Sequence, residues 1–181
     1  MPSLAVAPVV RALFATAIAM AASLAMAVPM GESDARHLLA RTGFGPTTAE
    51  VRTYAALSRD DAVAKLLGDV RTAPATPPPP WIDEFAQSRR PGPMASAEER
   101  KAFQQMETRR AAELRGWWIR EMLVTPSPLT ERMTLFWHNH FVSSQQKVRD
   151  ARLIYVQNET LRAQALGNFA GLLHAVAPVA M

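Results

Sequence analysis

The chain contains no cysteine in 181 residues. Disulfides are therefore excluded, together with thiolate nucleophiles and zinc sites built on thiolates, so any bound metal has to be held by histidine, carboxylate or carbonyl oxygen. Glycine is sparse, at 8 residues, and never clustered, which removes the glycine-rich phosphate loop from consideration. Charge of one sign is also scarce: 20 bases against 16 acids leave a formal net charge of only +4. The arginine-rich stretches are interleaved with acids, as at Glu107, Arg109, Arg110, Glu113 and Arg115. That is the pattern of a solvated helix face with i,i+4 pairs, and nucleic acid is not an expected partner.

Long apolar runs are confined to the start of the chain. Arg11 is the only charge before the run 12–27 (ALFATAIAMAASLAMA), which ends in the small-x-small triplet Ala25-Met26-Ala27. This reads as a secretory signal cleaved near Ala27, because about 16 alanine-rich residues fall short of the roughly 20 that a spanning helix needs. Cleavage would remove Arg11 and no acid, leaving 19 bases, 16 acids and a net charge of +3. The expected product is periplasmic or extracellular, with no stable membrane span and with an envelope protein or the cell wall as its possible partner.

About 154 residues remain, enough for one domain with a real core. The stretch 72–80 (TAPATPPPP) cannot be helical and separates an N-terminal segment, 28–71, from the larger part, 81–181. Period-two alternation is never sustained, so the expected fold is all-α, an irregular multi-helix bundle. Ser33 can cap a helix to Arg41 that Gly43 stops, Thr47 with Glu50 forms a capping box, and Ser58 can cap a third helix ending at Gly68. After the prolines, a short helix over 81–90 is expected, and Ser96 with Glu99 opens the longest one, to about Thr125. Its buried stripe is read as Phe103, Met106, Leu114, Trp117 and Trp118. Arg110 and Glu121 fall on that stripe, either at its solvent-exposed ends, the expected case, or buried and paired.

Pro126-Ser127-Pro128 restarts the helix, with Ser127 as N-cap and Pro128 at the first position. The segment 135–141 (LFWHNHF) then sets two imidazoles and an amide among three large aromatics, where a plain core would use aliphatics. Met133, Phe136, Trp137, His140 and Phe141 follow the i, i+3, i+4, i+7, i+8 rule, which puts His140 in an apolar stripe and turns His138 about 160° away, partly exposed. The i,i+2 spacing suits convergence on one metal from a strand or irregular turn, whereas helical zinc pairs use i,i+4. One reading makes His140 a core histidine with a single hydrogen bond; the other makes His138 or His140 a general base or metal ligand. Beyond a polar loop over 143–147, a helix from about Asp150 to Leu166 places Ile154, Gln157, Asn158, Leu161 and Ala165 on one side, with Gln157 and Asn158 as amides at a buried face. Gly167 stops it, Asn168 caps the next, and Phe169, Leu172, Leu173 and Val176 form a last apolar stripe. The chain closes on an apolar 177–181 (APVAM) with no polar tail, which leads us to expect the N-terminal fragment of a larger helical domain.

Three blocks resemble a bacterial family, domain of unknown function 1800. His37 to Pro46 (HLLARTGFGP) is similar to its opening motif, and Phe136 to Phe141 to its FWHNHF block. Arg162, Ala165-Leu166-Gly167-Asn168-Phe169, Leu172-Leu173 and Pro178, Ala180, Met181 are similar to its RxxALGNFxxLL segment and the PAM that follows. The resemblance implies an exported, mostly helical protein whose members continue past the PAM block with an acidic, asparagine-containing motif. It carries no reaction that can be transferred residue by residue.

Three functional classes follow. The first is the N-terminal part of an envelope enzyme, a metal- or histidine-dependent hydrolase, with His138 or His140 as base or ligand and Arg41, Asn139 or Arg162 holding a polar or anionic substrate group. No motif requires a cofactor, although a divalent metal at His138 and His140 fits this class. The second is a non-catalytic exported helical protein, the expectation for a chain that stops short of part of a shared site. The third is a carbohydrate-binding module using Trp81, Trp117 or Trp118 as stacking platforms, and the position of Trp117 and Trp118 on the buried stripe counts against it.

Overall fold

Side-chain caps start most of the helices. The computed structural model of the chain describes residues 28–83, 91–141, 148 and 150–177. The leader read over 1–27, most of the short helix expected over 81–90, the polar loop 143–147 and the PAM block at Pro178, Ala180 and Met181 lie outside the described residues. Among the described residues there are seven α-helices and no strand: α1 (Gly31–Thr42), α2 (Thr48–Ala55), α3 (Arg59–Gly68), α4 (Ala97–Val124), α5 (Pro128–His140), α6 (Ala151–Gln164) and α7 (Phe169–Val176). A single 3-10 turn, Pro80–Ile82, stands where the 81–90 helix was expected to begin.

Thr47 and Glu50 form the expected capping box of α2: the Glu50 N–H donates to the Thr47 hydroxyl at 3.2 Å and the Thr47 N–H to the Glu50 carboxylate at 2.7 Å. Ser96 and Glu99 do the same for α4, Ser58 caps α3, and Asn168 caps α7. Asp150 caps α6 by accepting the N–H groups of Arg152 and Leu153. At α1 the expectation is corrected. The helix begins two residues before Ser33, because Gly31 turns the chain with φ 81°, a conformation open to glycine, while the Met30 N–H is satisfied by the Leu57 carbonyl at 2.8 Å.

Helices α1 to α3 form a small layer around Ala35, Leu39, Val51, Tyr54, Ala62 and Leu66, and Leu129 of α5 closes its open side. The approach between α1 and α5 is tight at Gly43, where a Cβ would meet Pro128 Cβ at 3.3 Å and the carbonyl of Leu39 in α1 at 3.2 Å, so that a side chain there would push its neighbours back by a few tenths of an ångström. Next to it the Arg132 guanidinium lies 5.7 Å over the Phe44 ring. The opening block of the chain is therefore a docking element for α5.

In the larger part, α4 packs against α5 and α6, α5 against α6, and α6 against α7. One core cluster is Trp81, Leu114, Trp117 and Ala151, covered by Trp118, Ile154 and Tyr155; a second is Leu161, Leu172 and Val176, covered by Trp137 and Phe141. The proline-rich stretch lies across this bundle as a strap, with Thr76 and Pro79 buried. Placing Arg110 and Glu121 at the exposed ends of the α4 stripe is corrected here. Glu121 is completely buried, and Arg110 is largely covered, paired with Glu107 and lying 5.4 Å over the Trp81 ring. Each charge is inside because it meets a partner there.

Candidate functional site

The buried face of α5 is polar. Thr130, Glu131 and Thr134 point inward, and the two threonines and Ser127 satisfy one another or the backbone, with Ser127 Oγ 2.7 Å from the Thr130 hydroxyl and Thr134 donating to the Thr130 carbonyl at 2.8 Å. Glu131 faces α6, where Arg162 donates to it twice, from Nε at 2.6 Å and from Nη2 at 3.2 Å. The second Glu131 oxygen also accepts Trp118 Nε1 from α4 at 2.9 Å. Arg162 Nη1 donates to Glu159 one turn back on α6, and the guanidinium lies 5.3 Å over the Trp117 ring. Three helices thus meet at one ion pair whose side chains are 2% exposed or less.

Two further carboxylates tie other segments to α4. Glu121 accepts the Ala75 and Thr76 N–H groups at 2.9 and 2.7 Å and the Thr76 hydroxyl at 2.6 Å. Glu107 accepts the Ala151 N–H at the start of α6 at 2.9 Å, an anion at the positive end of a helix. Burial pushes the Glu121 carboxyl up, but its bonds from Ala75 and Thr76 and the charge of Arg162 outweigh that and hold it below its ordinary value. Glu159 goes the other way: burial raises it, and the charges of Glu131 and Glu121 add to the rise against the pull of Arg162.

The histidines divide between two environments, and the expectation for them is reversed. His140 is exposed, beside the Phe136, Phe141 and Phe169 rings. His138 is the half-buried one, set edge-on to Trp118 with ring centroids 5.1 Å apart, and its Nδ1 is buried without a hydrogen-bond partner. Burial lowers its basicity and favours the neutral ring. The reason for the reversal is that α5 turns Glu131 and the threonines toward α4 and α6; of the aromatic stripe, Trp137 and Phe141 still pack on Leu161, Leu172 and Val176, while Phe136 and His140 are left exposed at the edge of the bundle. Among the described residues, no three histidine, aspartate or glutamate side chains come together as a metal-ligand group.

The other anticipated residues are dispersed. Arg41 and Asn139 are exposed, on α1 and at the C-terminal end of α5. Arg162 is inside the seam, bound to Glu131 and Glu159. Gln157 and Asn158 are buried as expected; Gln157 donates to the Phe141 carbonyl at 3.2 Å, whereas its Oε1 and both polar atoms of the Asn158 carboxamide have no hydrogen-bond partner. Trp81 and Trp117 are buried and Trp118 is tied to Glu131, so none of the three is an open platform for a sugar ring. Sequence reading missed Glu131 and placed Glu107 on a solvated face, which is corrected here, since it is buried against the start of α6. A glutamate between Thr130 and Arg132 looks like surface, and only its helical phase with Thr134 and His138 would have drawn attention to it.

Fold and seam together define a class: an all-α protein whose helices are joined by buried, hydrogen-bonded carboxylates, with an arginine of α6 at the centre. Comparison of the sequence with family models gives the affiliation. The chain belongs to the family described as Protein of unknown function (DUF1800), whose model matches residues 37–181. That span includes Glu107, Glu121, Glu131, His138, Asn158 and Arg162. No curated protein and no solved structure matches the chain. Among the described residues, no helix is long and apolar enough to cross a membrane.

Proposed function

We propose that this chain is an exported helical protein of the cell envelope, non-catalytic as it stands, in which the Glu131 and Arg162 seam is a structural tie. Export is supported by Arg11 and the apolar 12–27 run ending in Ala25-Met26-Ala27. The non-catalytic reading is carried by one observation: the seam's charges are spent on each other. Glu131 accepts three hydrogen bonds, and Arg162 is divided between Glu131 and Glu159. With side chains 2% exposed or less and turned toward each other, neither group of the pair is open to a substrate from solvent. Expression with a C-terminal tag and N-terminal sequencing of the envelope fraction tests export, with Val28 as the expected first residue; an uncleaved cytoplasmic product would refute it.

One observation favours a hydrolase instead. The His138 ring is held neutral beside Trp118 with an unpartnered Nδ1, which is the state a general base requires. Under that reading, His138→Asn abolishes turnover of chromogenic ester, peptide or glycoside substrates while leaving the melting temperature in place. Under the structural reading, neither protein turns over any of them.

A further inference from the structure

We propose that the charge-free face formed by the C-terminal half of α5 and by α7 is a self-association surface, on which a second copy of this chain docks by two-fold pairing. Phe136 and Phe169 are 53% and 52% exposed, and Leu166 and Leu173 beside them 43% and 46%. The rings make one continuous patch. Phe136 stacks on His140 at 6.5 Å, His140 meets Phe169 edge-on at 6.4 Å, and Phe169 stacks on Phe141 at 6.4 Å. Neither contributing stretch, 133–141 or 163–177, contains Asp, Glu, Lys or Arg, in a chain where 20% of residues are charged. What sets this face apart from other uncharged stretches is its ring content: four aromatic or imidazole rings contact one another across it, and aromatics are enriched at the centres of protein interfaces, where charge is depleted.

That absence selects the occupant. A strongly acidic or basic partner finds no counter-charge here, and an anionic lipid surface finds no lysine or arginine to draw it in. Two copies of the same face meet with no fixed like charges opposed, and an isologous contact sets each aromatic patch against its equivalent. Half of each phenylalanine amounts to about 100 Å². With the two leucines and an exposed rim of Asn139, His140, Ala170 and His174, the face approaches the roughly 800 Å² per partner of a standard interface.

Sedimentation of the signal-free chain from about 1 to 200 µM tests the proposal. The expected result is a concentration-dependent monomer–dimer equilibrium, shifted at least tenfold toward monomer by Phe136→Asp with Phe169→Asp, at unchanged helical circular dichroism. Because the chain has no cysteine, a short bis-maleimide gives a second readout that does not depend on those variants folding: Leu173→Cys should cross-link to dimer and Val63→Cys, exposed on α3, should not. A wild-type chain that stays monomeric throughout overturns the proposal, and so does a dimer indifferent to the aspartates or cross-linking equally at both cysteines. Co-flotation with phosphatidylglycerol vesicles by a monomeric chain overturns it in favour of lipid.

Discussion

Glu121 of α4 holds Thr76 of the proline-rich strap by two hydrogen bonds, one from the backbone N–H and one from the hydroxyl, at 2.7 and 2.6 Å. A stretch that composition marks as a spacer is thereby fastened to the bundle, next to the Arg71 N–H that donates to Ser127 at 3.0 Å. Prolines suit this role, since they lock an extended path and leave few N–H groups for the carboxylate to satisfy.

The strap contact predicts a large effect from a small change. Glu121→Ala removes a buried charged acceptor of three bonds and should cost about 2–4 kcal/mol, whereas Thr76→Ala, which keeps both backbone donors, should cost about 1–2 kcal/mol. Urea unfolding of the two variants measures both. Equal, negligible losses would mean that the strap is not held this way.

The pair Glu131 and Arg162 should be strongly coupled. Arg162→Met strands two carboxylates and is expected to cost about 3–5 kcal/mol, while the double variant Glu131→Leu, Arg162→Met should lose clearly less than the two single losses added together. A double-mutant cycle by chemical denaturation reads the coupling, and simple additivity would count against a direct tie.

Opposite shifts in two carboxyls predict opposite pH dependences. Glu159 has its folded value raised above 4.5, so its contribution is fully present below 4.5 and is lost as pH rises through the raised value. Glu121 is lowered from 4.5, so its contribution is present above that value and disappears as pH falls through the depressed one. His138, lowered from 6.5, contributes stability that is present above 6.5 and lost as pH falls, opposing Glu159, so each term is read as a difference from wild type. Relative to wild type, the denaturation midpoint of Glu159→Gln should gain as pH rises above 4.5, and that of Glu121→Gln should gain as pH falls below 4.5.

The unpartnered atoms of Asn158 and His138 predict substitutions that do not destabilise. Asn158→Leu removes two buried polar atoms with no partner and should be neutral or stabilising by about 1 kcal/mol; His138→Phe should change stability by less than about 1 kcal/mol. Calorimetry decides it. A loss of 2 kcal/mol or more in either variant would reveal a bound group that those atoms serve.

The features legible in the sequence share a property: they are local. Thr47 with Glu50, Ser58, Ser96 with Glu99, and Asn168 announce helix starts because a cap acts over three residues. Gln157 and Asn158 could be placed inside from the phase of α6 alone. Hydropathy succeeded only in part on α5, where Trp137 and Phe141 do pack on the second core cluster. It assigned the apolar stripe through Phe136 and His140 to the core, yet the core side of that helix carries Thr130, Glu131 and Thr134, and His138 rather than His140 turns inward.

By itself, then, the sequence determined that the chain is helical, where most of its helices begin, which family it belongs to, and that no thiol or disulfide takes part. Only the tertiary structure decided which charges are buried and which aromatics are left half-exposed. A carboxylate is tolerable inside only when donors from distant segments converge on it, as Arg162 and Trp118 do on Glu131 and Thr76 does on Glu121. Convergence across 13 to 45 residues of chain is set by how helices pack and cannot be read from the helical period of any one of them.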